Sequence, residues 1–363
     1  MIVGEKQLRD LTCAIFMGAG SSEAEAREVA TQLVGANLTG HDSHGVGRIP
    51  LYIEHAGDGR VNPNRHVRVI KDSGPILVLD GECGYGHVIA GEAMTLGIAR
   101  TREHGVCLLA LRNSFHVGRV GAWAEMCLDA GFASVHFVNS NAHAPLVAPF
   151  GGAEARLSTN PFCAAVPSAT GEPVVLDMAT ASLAEGKIHV ALNEGREVAD
   201  GILIDADGHP TNDPGTLYRE PRGALLSMGT YKGYGLGLMC ELLAGALGGG
   251  GIMQPENVGD DMIVNHMLSI IIDPAALGDA DGFLEDVAAA VDWVKSSPPA
   301  PGGEGVMVAG DPERRARADR MANGITIDDV TWKEILEAAA TVGVGGNRVA
   351  AILGADGAPA TPA

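Results

Sequence analysis

Gly84-Tyr85-Gly86-His87-Val88-Ile89 follows a strand-like run, Ile76-Leu77-Val78-Leu79, and opens a segment of helical character from Ile89 to Glu103. A glycine-rich strand-to-helix turn is where a Rossmann unit carries G-x-G-x-x-G, with an acidic residue about 20 positions further on. Ile89 stands where the third glycine would be, and the other near-match, Gly233-Tyr234-Gly235-Leu236-Gly237, does not complete the pattern either. Both failures argue against a Rossmann domain. The Gly84 turn remains a candidate for close backbone approach to a ligand, and any dinucleotide bound here is held in another way.

Outward from that turn, the chain alternates strands and helices. Residues 5–38 read as two helices meeting near Gly18–Ser22, with Ser21 or Ser22 as the cap and Glu23 and Glu25 in the first turn. Leu51–Ala56, Ala122–Ala130, Thr180–Leu192, 234–247, 281–294, 312–322 and 332–341 read as further helices. Val67–Ile70, Ile76–Leu79, Val106–Leu111, Ala133–Val138, Ala164–Val166, Val174–Leu176 and Met267–Ile272 have strand composition. The tail from Gly354 is Ala/Gly/Pro/Thr and is expected to be disordered. The 363 residues are enough for two or three subdomains, and 46% hydrophobic with 19% charged residues is ordinary for a globular enzyme.

A net charge of −20 argues against nucleic acid and anionic membranes as partners. The longest apolar run, Gly235–Leu247, is interrupted by Glu241 and too short to span a bilayer. Six scattered cysteines without a C-x-x-C pair, and no N-terminal signal pattern, point to reduced thiols and a cytoplasmic location.

The chemistry concentrates in Gly40-His41-Asp42-Ser43-His44-Gly45-Val46-Gly47-Arg48. Ser43 and His44 can move a proton, and Arg48, four positions after His44, would share its face on a helical turn. A guanidinium beside an imidazole suits a carboxylate next to a carbonyl or hydroxyl carbon. The plainer alternative is a glycine-shaped helix end with polar trimmings. The histidines lack metal-ligand spacing with a third ligand, so no metal is implied. Taken alone, His116 fits a structural histidine, Asp177 a cap for the helix near Thr180, Lys232 a solvated charge and Thr159-Asn160-Pro161 a turn.

The ordered set of motifs resembles the type-2 malate/L-lactate dehydrogenases, the sulfolactate-dehydrogenase-like oxidoreductases. It comprises residues 40–50, Arg112-Asn-Ser-Phe-His-Val-Gly118, Ala148-Pro-Phe-Gly-Gly152, Ser158-Thr-Asn-Pro161, Val175-Leu-Asp-Met-Ala-Thr180, Gly186-Lys-Ile188 and Tyr231-Lys-Gly-Tyr-Gly235. The resemblance runs from about residue 8 to about residue 345. It implies an α/β (α+β), non-Rossmann fold with a large mixed sheet. The expected division is a helical subdomain from 1–70 with 280–350, an α/β core from 71–115 with 240–279, and a cofactor-binding subdomain at 116–239.

The resemblance further implies NAD(P)H-dependent interconversion of a 2-oxo acid and a 2-hydroxy acid. The same scaffold also serves cyclic imino acids, ureidoglycolate and diketo sugar acids. His44 becomes the proton donor and acceptor with Ser43 in support, Arg48 the carboxylate clamp and Thr159 a substrate contact. His116, Val117 and Gly118, then Asp177, Met178 and Ala179, then Tyr231 and Lys232, become cofactor contacts. Gly310 joins them, although Ala309-Gly310-Asp311 departs from the Pro-Gly-Glu sequence common there, and Tyr231 replaces a common histidine. The cofactor is NAD or NADP, and the acidic balance leans toward NAD. The expected partners are a small anionic substrate and a second copy of the chain. Lys187 stands where some relatives carry an acidic relay residue and is given a structural or cofactor-contacting part.

Overall fold

A computed structural model describes residues 1–259, 262–303 and 305–354, so the expected disordered tail falls, from residue 355 on, outside the described residues. A short strand, β1 (Ile2–Val3), leads into helices α1 (Glu5–Gly18) and α2 (Glu23–Leu38). Leu8, Leu11 and Ile15 recur along one face of α1 and are fully buried. Of the two candidate caps it is Ser22 that acts: its hydroxyl accepts the Glu25 N–H at 3.2 Å.

Beyond Gly40 the chain makes two separate short helical turns, 42–44 and 46–48, and then enters α3 (Ile49–Gly57). His44 and Arg48 therefore do not share one continuous helical face. The break comes from Asn37 of α2, whose Oδ1 accepts the Val46 N–H at 2.8 Å and whose Nδ2 donates to Asp42 at 2.7 Å. Gly45 passes so close to Asn37 that a Cβ there would lie 2.3 Å from its Oδ1.

The centre of the molecule is a seven-stranded mixed sheet. In chain order its first elements are β2 (Arg68–Ser73), β3 (Ile76–Asp80), α4 (Gly86–His104), β4 (Val106–Phe115), α5 (Gly121–Asp129), β5 (Ala133–Asn141), β6 (Phe162–Val166) and β7 (Val174–Met178). Helix α6 (Glu185–Asn193) follows. A small antiparallel sheet comes next, made of β8 (Leu203–Ile204), β9 (Pro210–Thr211) and β10 (Ala224–Leu225). Helix α7 (Tyr231–Cys240) continues as a wider π-type turn to Leu247 and leads to the last long strand, β11 (Val264–Ile272). The chain closes with α8 (Pro274–Leu277), α9 (Ala280–Lys295), α10 (Asp311–Asn323), β12 (Ile325–Thr326), α11 (Asp329–Thr341) and α12 (Gly346–Leu353).

The large sheet runs β2-β3-β4-β11-β5-β6-β7, and only β3 and β4 pair in parallel. That single parallel pair, joined through α4, contains the Gly84–Gly86 turn. The turn is occupied by the protein's own chain, because a Cβ at Gly86 would fall 2.2 Å from the Phe115 carbonyl oxygen and equally close to that of His116. Its glycines serve strand–helix packing, and the candidate approach to a ligand there is not realised. No run of parallel βαβ units exists among the described residues to form a Rossmann domain.

Other segments also depart from the reading of the sequence. The helix expected from Thr180 begins only at Glu185. Residues 180–182 instead run alongside 226–228, with Met228 N–H donating to the Thr180 carbonyl and Ser182 N–H to that of Leu226. Helix α12 was not expected, yet it buries Val349 and Leu353 in the same apolar cluster as α1, α2, α3 and α11. A second apolar cluster packs the sheet against α4 and α5, and a third fills the unit around β8–β10.

Candidate active site

A cavity of about 710 Å³ opens where these three cores meet, within the size range of small-molecule sites. Ser43, His44, Arg48, His116, Val117, Gly118, Thr159, Asp177, Met178 and Ala179 all line it. They come from five stretches of chain: the double turn before α3, the loop after β4, the loop before β6, the end of β7 and the segment beyond it.

The double turn sets the first wall. Arg48 Nε donates to the Ser43 carbonyl at 2.7 Å, which folds the guanidinium back beside Ser43 and His44. His44 is half-buried; its Nδ1 is buried and has no partner, leaving Nε2 as the nitrogen open to the cavity. Burial lowers the His44 pKa to about 3, and the Arg48 charge is the next cause. The ligand-free imidazole is thus neutral. A bound carboxylate beside Arg48 would cancel part of that repulsion and bring the imidazole back toward the pH range of a general acid.

The loop after β4 sets the second wall. The His116 ring stacks on that of His44, with centroids 5.3 Å apart and planes inclined by 23°. Its Nδ1 meets the Tyr52 hydroxyl at 2.5 Å. Burial, followed by the charges of His44 and Arg48, pushes the His116 pKa well below its usual value. Gly118 has φ +71°, and a Cβ there would fall 2.6 Å from His87 Nε2, so the loop passes with no room for a side chain.

Across the cavity, Asp177 near the end of β7 accepts the Gly121 N–H at 2.7 Å. It therefore caps α5 from a distant strand and not a helix near Thr180. Burial raises its pKa, opposed by the charges of His41 and Arg119. Thr159 accepts from Thr180 N–H and hydroxyl through its carbonyl, each at 3.0 Å, which ties the loop before β6 to the segment after β7.

The remaining sequence candidates lie elsewhere. Tyr231 and Lys232 are outside the cavity lining; Tyr231 is 59% exposed, with its ring 6.1 Å from that of Phe150. Gly310, at φ +98°, caps α10 just behind the wall, and the next turn brings Pro312, Glu313 and Ala316 to the cavity. The only cluster with metal-ligand geometry among the described residues, half-buried Asp205 with exposed Asp207 and His209, is outside the cavity lining. It is accounted for by a turn in which Asp205 Oδ1 accepts the N–H groups of Asp207 and His209.

The structure brings further residues to the cavity. Arg119 lines the cavity with 7% exposure; Nη2 pairs with Glu125, while Nε and Nη1 are buried without partners. His41 lines the cavity and meets Glu313 of α10 at 3.2 Å. Glu185, at the start of α6, lies 3.7 Å from Arg48 Nη2 and accepts the Tyr218 hydroxyl at 2.6 Å. Lys187 lines the cavity on the same turn, where Gly186 packs so tightly that a Cβ would meet Ser43 Cβ at 2.7 Å. Arg119 directly follows Gly118 in a motif already quoted, a signal that adjacency alone could have raised.

The cavity thus joins stacked imidazoles and a guanidinium on a non-Rossmann mixed sheet. The chain belongs to the malate/L-lactate dehydrogenase family: that family's model matches residues 3–336. It is similar to hydroxycarboxylate dehydrogenase B of Escherichia coli (strain K12), 43% identical over 333 residues, covering 91% of each chain. It is also similar to L-lactate dehydrogenase of Cupriavidus necator, 38% identical over 320 residues, covering 88% of this chain and 91% of that one. The solved sulfolactate dehydrogenase of Methanocaldococcus jannaschii superposes with a TM-score of 0.83 at 33% identity, covering 95% and 98% of the two chains. The protein is accordingly an oxidoreductase acting on the CH–OH of hydroxy acids, in a family that uses a nicotinamide cofactor. Among the described residues, no helix is long and apolar enough to cross a membrane.

Proposed function

We propose that the protein interconverts a 2-oxo acid and a 2-hydroxy acid with NAD, and that it works as a cytoplasmic homodimer. The observation that carries this reading is the placing of His44 Nε2 and the Arg48 guanidinium on one wall of the cavity, linked through the Ser43 carbonyl. The wall beside it fits a nicotinamide dinucleotide: Gly118 lines the cavity, and Arg119 next to it keeps buried N–H groups without partners. His116, Val117, Gly118, Asp177, Met178 and Ala179 would hold it there, with Gly310 behind the wall. When bound, it supplies or accepts hydride at its nicotinamide ring.

The residues of the chain do the rest. Arg48 grips the substrate carboxylate through its terminal guanidinium nitrogens, displacing the loose Glu185 contact, a bidentate task that a lysine ammonium performs poorly. Thr159 borders the substrate opposite. His44 Nε2 gives a proton to the nascent alkoxide during reduction and takes it back during oxidation. Ser43 supports that transfer through its hydroxyl. The Glu185 carboxylate, held by Tyr218, restrains Arg48 before substrate arrives.

The test is a panel of 2-oxo acids, including pyruvate, oxaloacetate and sulfopyruvate (the oxo forms of lactate, malate and sulfolactate), together with cyclic imines, each offered with NADH and with NADPH. Loss of reduced-cofactor absorbance with 2-oxo acids and NADH is expected. Turnover confined to imines, or to NADPH, would overturn the corresponding part of the reading. A sedimentation mass of one chain would overturn the dimer.

A further inference from the structure

Tyr52 lies on α3, fully buried, at the centre of an aromatic cluster of Phe16, Tyr85, Phe115 and His87, with ring centroids 5.0–6.4 Å away. Among the described residues its hydroxyl has one hydrogen-bonding partner, His116 Nδ1 at 2.5 Å. Two arrangements of that bond are open. If His116 Nδ1–H donated to the phenol oxygen, the phenol hydrogen would be left among aromatic rings with no acceptor, an unmet donor of the costly kind. If the phenol donates to Nδ1, every polar group of the pair is satisfied. The buried phenol keeps its proton, because burial raises its pKa above the ordinary tyrosine value. The buried His116 is neutral for the corresponding reason.

A neutral imidazole that accepts at Nδ1 carries its hydrogen on Nε2. Nε2 is the His116 nitrogen that reaches the cavity, since it is neither buried without a partner nor bonded to the protein. We propose that Tyr52 is a positioning residue that locks His116 as the Nε2–H tautomer, so that the cavity offers a fixed N–H donor to a carbonyl oxygen of the ligand beside His44. The neighbouring imidazole makes the device useful. His44 has no partner on Nδ1, so the protein does not fix its tautomer and it is free to exchange a proton. His116, stacked 5.3 Å from it, is held as a donor that keeps its proton throughout. The two histidines thereby divide the work, one moving a proton and the other orienting a carbonyl.

Two ligands present such an oxygen: the carboxamide of a nicotinamide and the 2-oxo group of the substrate. This part rests on the proposed function; the Tyr52–His116 tautomer does not. The first experiment therefore uses the ligand-free protein. Long-range ¹⁵N–¹H correlation of histidine-labelled protein at pH 7.5 is expected to show His116 with a bare Nδ1 and a protonated Nε2 in the wild type, and a mixture of tautomers in Tyr52→Phe. A wild-type His116 protonated on Nδ1 would overturn the proposal without touching the functional reading. That measurement stands even if the variant folds poorly.

The second experiment titrates NADH by fluorescence, alone and with the unreactive 2-oxo acid analogue oxamate. Tyr52→Phe is expected to weaken one of the two by about three- to tenfold, the scale of a lost hydrogen bond. Weaker NADH binding in the binary complex assigns the donor to the carboxamide. Weaker oxamate binding with NADH unchanged assigns it to the substrate oxygen. Both affinities unchanged would overturn the proposed use of the donor.

Discussion

His136 in the middle of the sheet and His44 on the cavity wall are the same side chain in two different settings. Burial lowers the first to about 4 and the second to about 3, so both are neutral imidazoles in the folded protein. His136 lies between β5 and β11 with both nitrogens satisfied, by Ser269 at 2.8 Å and Ser134 at 3.0 Å. His44 has one nitrogen orphaned and the other open to a cavity that also holds a guanidinium. A lowered pKa alone therefore does not separate a working histidine from a structural one. What separates them is whether the surrounding structure completes the hydrogen bonding or leaves it for a ligand.

The sharpest way to break this comparison is His44→Ala, expected to lower turnover by about 10²–10⁴ while NADH binding stays within a few-fold. Steady-state kinetics paired with fluorescence titration would check it, and near-normal turnover would remove His44 from the proton step. Arg48→Lys should come next. Losing the bidentate grip is expected to cost about 10–100-fold in kcat/KM, chiefly through KM, on the scale of a charge-assisted hydrogen bond. An unchanged KM across carboxylate substrates would show that the carboxylate sits elsewhere.

The structural side of the comparison predicts a pH effect. His136, His44 and His87 bind a proton in the unfolded chain below about pH 6.5 but resist it when folded. The unfolded state then holds more protons, so stability falls as pH drops through 6.5. The decline continues until the folded groups titrate, near 4 for His136 and near 3 for His44 and His87. Each contributes a slope of about 1.4 kcal/mol per pH unit in that window. Urea unfolding at pH 7.5 and 5.5 should register it, and His136→Gln should remove one histidine's share. An equal slope in the variant would mean that His136 takes up its proton as readily in the fold as in the unfolded chain.

The smallest expected effect is that of Glu185→Gln. The pair with Arg48 is partly exposed and loosely spaced, so a two- to fivefold change in substrate KM with kcat preserved is expected, in line with about 0.2–1 kcal/mol for such pairs. A large fall in kcat would instead place Glu185 in the chemistry.

Much of the fold was legible because its signals are local. Helix periodicity placed α1 and α2, turn punctuation placed β2 and β3, and the incomplete fingerprint at Gly84–Ile89 argued against a Rossmann unit. The late start of α6 was not legible, because residues 180–182 are held extended by partners more than forty positions away. Ten of the thirteen proposed site residues converge on the cavity, and motif order was enough to gather them. Glu185 and Glu313 were missed because a charged residue in a sequence carries no mark of being turned inward, and Arg119 had only its adjacency to Gly118 to point to it.

By itself the sequence determined the chemical inventory: which side chains can move a proton, which can grip an acid, and which glycines leave backbone bare. Tertiary structure alone decided how that inventory is used. It stacked His44 on His116, supplied the buried phenol of Tyr52, and turned Asp177 toward α5. The physical reason is one of range. Propensity and capping act within a few residues. Burial, orphaned donors and the charge around an imidazole depend on which distant segments the folded chain brings together.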